Sequence, residues 1–170
     1  MYYRTKTYLA GDWTGDSNAI STLKEWKEND YLSLSFVDAH DFKSARDSNL
    51  NYTIKASLKQ RMDMSKTFVL VVGNDTKQLR AGSCRYCSSL NSYSHYCVRG
   101  YSVDYRSYIE YECDLAIKAG IRIVVLYNST VVDKSKCPDA VKNLGVHIPM
   151  KRFKNGTLCW NYETISNALK

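Results

Sequence analysis

Two continuous apolar runs, residues 67–72 and 121–127, constrain the fold more than any other feature of the sequence. Neither run alternates polar with apolar residues. A strand of that kind has to be covered on both of its faces, which is typical of a central strand in a parallel sheet. Gly73 directly follows the first run and marks its end. The chain is therefore expected to build a parallel sheet with a layer on either side.

Segments with helical spacing separate these runs from further strand-like segments. Leu50, Ile54, Leu58 and Met62 fall at steps of four, which predicts an amphipathic helix. A second strong pattern places Ile109, Cys113, Ala116 and Ile117 on the inner face of a helix that Gly120 ends. The predicted helices are 17–29, 48–64, 105–119, 139–144 and 162–169, and the remaining predicted strands are 5–10, 32–36 and 147–153.

Repeated strand-then-helix units predict an α/β fold, because right-handed crossovers put helices on both faces of a parallel sheet. About five strands in a single domain over residues 1–170 suits a flavodoxin-like, doubly wound sheet. Residues 74–104 are rich in Cys, Tyr and Ser and are too long for a simple connection, so we interpret them as a functional insertion. Ligands of such sheets bind beyond the carboxyl ends of the strands.

The composition of the chain indicates its cellular compartment and the class of its partners. No stretch approaches the roughly 20 apolar residues of a membrane helix, and residues 1–6 lack the apolar core of a signal peptide, so we expect a cytoplasmic protein with no membrane partner. The six cysteines are then expected to be thiols. A net charge of +7 favours anionic partners, but the basic residues form no block of the kind that binds nucleic acid.

Two loops after predicted strands carry acidic and basic side chains. The first, residues 11–16, has neither a Rossmann nor a Walker spacing. In it Asp12 is a candidate for binding ribose hydroxyls. Asp16 or Ser17 is placed to cap the following helix, and capping is the role we expect for Asp16. The second, residues 38–47, contains Asp41 and Arg46 and either binds a metal or nucleotide or is tied together by its own Asp turns and an Arg–Asp pair.

Glu112 is a candidate for chemistry because it lies at the margin of the apolar face of the predicted helix 105–119, one turn from Tyr108. A carboxylate in that position is expected to be partly desolvated, with a raised pKa, as catalytic carboxyl groups often are. An exposed helix glutamate is the alternative, and Glu110 or Asp114 could take the same role.

Cys84, Cys87, His95 and Cys97 are zinc-ligand types, and Cys84–Cys87 has the C-x-x-C spacing of half a zinc site. The His-x-Cys half is tighter than usual spacings. We therefore favour free thiols over zinc.

The chain resembles the TIR-like domains of the ThsB-like proteins of bacterial Thoeris anti-phage systems. The residues that carry the resemblance are 36–41 (FVDAHD), 45–47 (ARD), Ile54-Lys55, Leu58, 68–73 (FVLVVG) and 108–116 (YIEYECDLA). The resemblance implies a TIR fold and conversion of NAD into a cyclic or conjugated ADP-ribose signal that activates a separate effector protein. It also implies self-association through TIR-like surfaces, and no cofactor beyond NAD as substrate.

At the position that matches the TIR glutamate, the resemblance places Glu112 beside the nicotinamide ribose. From their locations, we expect Asp12 and Asp41 to hold the ribose or to position the acceptor. Arg46 and Lys55 are expected to meet the pyrophosphate, and Tyr108 to line the site. Three alternatives remain: a non-catalytic TIR-like adaptor, a phospho-acceptor receiver domain and a nucleotide-binding stress protein. The receiver needs an aspartate at the end of the third strand, where this chain has Gly73-Asn74 and only then Asp75.

Overall fold

The computed structural model describes residues 4–29, 51–78 and 106–170, with the side chains of 51–54 left aside. Predicted strand 32–36, loop 38–47 and most of the insertion 74–104 lie outside these ranges. In chain order the elements are β1 (Lys6–Ala10), α1 (Ser17–Glu28), α2 (Asn51–Asp63), β2 (Ser65–Val72), α3 (Tyr108–Ala119), β3 (Arg122–Tyr127), a 3-10 turn (Lys134–Lys136), β4 (Val146–Pro149), β5 (Lys151–Lys154), β6 (Thr157–Trp160) and α4 (Tyr162–Leu169).

The main sheet has the order β1-β2-β3-β4 within the described residues, and every neighbouring pair is parallel. Tyr8, Phe68 and Ile123 stand in register across its first three strands. Helices α2 and α3 bury one face of the sheet, and α1 and α4 bury the other. The doubly wound α/β prediction is confirmed, because both apolar runs became central strands covered on each side.

Helix α3 is fixed at both ends by local sequence. The Ser107 hydroxyl accepts a hydrogen bond from the Glu110 N–H, and the Glu110 carboxylate accepts one from the Ser107 N–H, which makes a complete capping box. At the other end Gly120 has φ of 61°, a left-handed conformation that glycine adopts without strain. Local sequence therefore defines where this helix, which carries Glu112, begins and ends.

Three details of the sequence interpretation are wrong. Ile117 is 38% exposed, because the face that packs on the sheet is centred on Ile109, Cys113 and Ala116. Residues 139–144 form successive turns closed by bonds such as Leu144 N–H to the Val141 carbonyl, and so short a segment has no room for a stable helix. The predicted strand 147–153 is interrupted at the buried Met150, where the chain leaves the main sheet.

Beyond Met150 the chain forms an antiparallel hairpin, β5-β6, that sequence reasoning missed. Its turn is Asn155-Gly156, with φ of 51° and 77°, the geometry that a two-residue hairpin turn requires. An Asn-Gly pair between two short strand-forming segments was the available signal.

Candidate active site

The Glu112 carboxylate is buried on the sheet face that α2 and α3 cover. Only 6% of Glu112 is exposed, and its Oε1 accepts a hydrogen bond of 2.5 Å from the hydroxyl of Tyr8, which is fully buried on β1. Glu112 is buried because it lies beside Ile109, Cys113 and Ala116, the residues of α3 that pack on the sheet. The predicted partly desolvated position is confirmed, and the exposed-helix alternative is wrong.

A cluster of cations and tyrosine rings surrounds the start of α3. Lys55 is buried on α2, and its Nζ donates to the Arg106 carbonyl at 2.9 Å. That amine lies 5.2 Å from the ring centre of Tyr111 and 6.0 Å from that of Tyr108. The structure thus brings together Lys55 and Tyr108, and Tyr108 lies one helical turn before Glu112.

Arg106 adds a second cation to this cluster. Its guanidinium carbon is 5.1 Å from the Tyr111 ring centre, and it forms an ion pair with Asp114. Burial raises the pKa of the Tyr108 hydroxyl, which therefore stays protonated and able to donate at neutral pH. Of the three acidic residues of α3, Asp114 pairs with Arg106 and Glu110 forms the capping box. Glu112 is the one that is buried.

A pocket of about 120 Å³ opens at the carboxyl ends of β1, β2 and β3, the edge where ligands of parallel sheets bind. Asp12, Asp16, Asp75 and Asn128 line it, with Gly15, Gly73 and Asn74. Asp12 Oδ1 accepts from the Thr14 N–H at 3.0 Å, which fixes the loop by an Asp turn. Rich in carboxylates, this pocket suits ligand groups that donate hydrogen bonds, such as sugar hydroxyls.

Asp16 is buried at the base of this pocket and does not cap α1 with its side chain. Its backbone carbonyl accepts from the N–H groups of Ala19 and Ile20, while its Oδ1 accepts from Asn128 Nδ2 at 2.8 Å. Desolvation raises the pKa of the Asp16 carboxyl, against the lowering effect of the Asn128 bond. The predicted capping role is wrong at the level of the side chain. Asn128 was missed, although it follows a predicted central strand.

Asp12 and Glu112 lie in different parts of the structure. Asp12 lies in the pocket at the sheet edge, whereas Glu112 lies against Tyr8 under α3. Asp41 and Arg46 lie outside the described residues, as do the zinc candidates Cys84, Cys87, His95 and Cys97. Across residues 4–29, 51–78 and 106–170, no group of three or more His, Cys, Asp or Glu side chains is placed to hold a metal ion.

The three cysteines in the described part of the chain, Cys113, Cys137 and Cys159, are free thiols. Among the helices that the structure describes, none is long and apolar enough to cross a bilayer.

Comparison with known proteins adds a family and a fold. Residues 7–81 match the family model described as the Thoeris protein ThsB, TIR-like domain. No curated protein matches the chain. Among solved structures, the 2-deoxyribosyltransferase of the psychrotolerant bacterium Bacillus psychrosaccharolyticus matches at a TM-score of 0.50 and 9% identity, over 95% of this chain and 90% of that one. At that identity the likeness supports the flavodoxin-like fold alone.

Proposed function

We propose that this chain, whose residues 7–81 match the Thoeris ThsB TIR-like family model, cleaves NAD at the nicotinamide ribose and makes a nucleotide signal. The product is a cyclic or conjugated ADP-ribose that diffuses to a separate effector protein in anti-phage defence. The observation that carries the proposal is the buried Glu112 carboxylate, held by the Tyr8 hydroxyl at 2.5 Å. The family match ends before α3, so the case for Glu112 rests on its position and contacts.

The chemistry needs an anion beside the ribose more than it needs an acid. When the bond between ribose C1′ and the pyridinium nitrogen breaks, its electron pair moves to that nitrogen and nicotinamide leaves as a neutral molecule. The ribose is left with oxocarbenium character, which a nearby carboxylate stabilises. A nucleophile then bonds to C1′ and its proton is lost to solvent: a group of the substrate itself gives the cyclic product, and a second acceptor molecule gives the conjugate. Glu112 is the carboxylate that we assign to this role.

The other assigned residues bind the rest of the substrate. Lys55 is a cation at the start of α3, beside Tyr108 and Tyr111, and we assign it with Arg46 to the pyrophosphate. Asp12 and Asp41 are assigned to ribose hydroxyls. For Asp12 this is supported by its place in a carboxylate-lined pocket at the ligand-binding edge of the sheet.

Assembly belongs to the same proposal. The protein works in the cytoplasm and associates with further copies through TIR-like surfaces, so its activity rises with concentration. NAD is its substrate, and neither a metal nor a second cofactor takes part.

The test is nicotinamide release from NAD by the concentrated protein with a crowding agent, followed by chromatography. Glu112→Gln keeps the shape of the side chain and removes its charge, so release should fall by about 10²-fold or more. Glu163→Gln is the matched control: it removes one exposed carboxylate, on α4, where Glu163 contacts Arg152 at 3.4 Å. It should retain wild-type activity.

A wild-type protein that releases no nicotinamide under these conditions would point to the adaptor alternative. Equal activity in Glu112→Gln and the wild type would remove Glu112 from the site. The mass of the co-product identifies the signal.

A further inference from the structure

The contact between Tyr8 and Glu112 joins two elements that are fixed independently. Tyr8 is fully buried in β1, in register with Phe68 of β2, and the two rings lie 5.9 Å apart. Glu112 is on α3, whose two ends are set by the Ser107 capping box and by Gly120. The hydroxyl therefore meets the carboxylate in a position that neither side chain can easily leave.

The bond has consequences for the state of the carboxylate. A tyrosine hydroxyl is protonated at neutral pH, so Tyr8 donates the hydrogen bond and Glu112 Oε1 accepts it. Bonds from a hydroxyl to an ionised carboxylate are short, about 2.5–2.7 Å, and about twice as strong as neutral ones. At 2.5 Å the contact fits that class. It also limits rotation of a side chain that otherwise has three rotatable bonds.

We propose that Tyr8 is a positioning residue for Glu112, holding the carboxylate in the orientation and the charged form that cleavage of the nicotinamide–ribose bond requires. The inference rests on the proposed function and goes beyond it, because Tyr8 is not among the residues that carry the TIR resemblance and its assigned role is exerted through Glu112. It assigns to a core tyrosine a part in the reaction as well as in packing.

Tyr8→Phe is the test, because it removes one oxygen and leaves the ring that packs on Phe68. We expect kcat for nicotinamide release to fall about ten- to a hundredfold, since a loosened catalytic group loses that much. The KM for NAD should change less than about twofold, since Tyr8 acts on Glu112 and does not bind NAD. Both are measured well below the unfolding midpoint of each variant.

Tyr127→Phe is the matched control. Tyr127 is another buried tyrosine of the same core cluster, and its hydroxyl bonds to His147 Nδ1 at 2.9 Å. Deleting that hydroxyl carries a comparable cost in stability but leaves Glu112 untouched, so kcat should stay at the wild-type value. A merely structural role for Tyr8 would make the two variants behave alike.

The outcomes separate this inference from the proposed function. Wild-type kcat in Tyr8→Phe, with activity abolished in Glu112→Gln, overturns the positioning role and leaves the function in place. A loss shared equally by Tyr8→Phe and Tyr127→Phe also overturns it. Absence of nicotinamide release from the wild type, or full release from Glu112→Gln, removes the proposed function and the positioning role with it.

Discussion

The carboxylate of Asp16 fills the space that a side chain on residue 73 would need. A Cβ added to Gly73 would lie 2.0 Å from Oδ1 and 2.2 Å from Oδ2 of Asp16. Asp16 cannot move aside cheaply, because it is buried and its Oδ1 is bonded to Asn128. The glycine after the first central strand therefore makes room for a buried carboxylate at the ligand-binding edge.

Gly73→Ala should consequently destabilise the protein by about 1–3 kcal/mol, the usual cost of overpacking a filled site. Urea denaturation measures the change. The control is the same substitution in an Asp16→Ala background, where the obstructing oxygens are gone and the added methyl group should cost much less. Equal costs in the two backgrounds would show that the clash with Asp16 is not the cause.

Asp16→Asn should change the pH dependence of stability. Burial raises the pKa of the Asp16 carboxyl above its ordinary value of 3.8, so the folded state holds the proton more tightly than the unfolded state. Stability of the wild type therefore falls as pH rises from 3.8 through the folded pKa, and that loss is complete above it. The asparagine variant lacks this titration, so its stability relative to the wild type should rise from acid to neutral pH.

Asp133→Asn supplies a control of opposite sign. Hydrogen bonds from Ser135 lower the pKa of the Asp133 carboxyl, so the wild type gains stability as pH rises through the folded value and keeps it above 3.8. The stability of the asparagine variant relative to the wild type should therefore fall as pH rises over that range. Parallel pH profiles for the two variants would contradict the assignment of a raised pKa to Asp16.

Local signals in the sequence predicted most of the described elements. Steps of four identified α2, Gly120 marked the end of α3, and the two apolar runs became β2 and β3. These signals depend on neighbours within a turn or a strand, which is why they could be read from one sequence.

Contacts between distant residues could not be predicted in this way. The Tyr8–Glu112 bond joins residues 104 positions apart, and the Asn128–Asp16 bond joins residues 112 apart. Each depends on strand order and on the layer in which a helix packs, neither of which periodicity specifies. The break at Met150, where the chain turns from the main sheet into the hairpin, was missed for the same reason. Both β4 and β5 have strand-like sequence patterns, so the sequence does not show that they belong to different sheets.

Ser107→Ala should lower the free energy of unfolding by about 1 kcal/mol, because it removes the hydroxyl that caps α3. Thermal or urea denaturation detects this. Ser107→Thr keeps a capping hydroxyl and Glu110→Gln keeps a side chain that fits the capping box, so both should stay close to wild type. Equal losses in Ser107→Ala and Ser107→Thr would mean that the capping bond contributes little.

The buried thiols should resist alkylation in the folded protein. Cys113 and Cys137 are fully buried, and burial raises the pKa of each thiol, so both lack the access and the thiolate that iodoacetamide needs. Cys159 on the hairpin is half-buried and should react first of the three. Peptide mass spectrometry after a short exposure at pH 8 measures each site, and the same exposure in urea is the control that should label all three. Rapid labelling of Cys113 without urea would mean that α3 separates from the sheet, and the fixed geometry of Glu112 would fail with it.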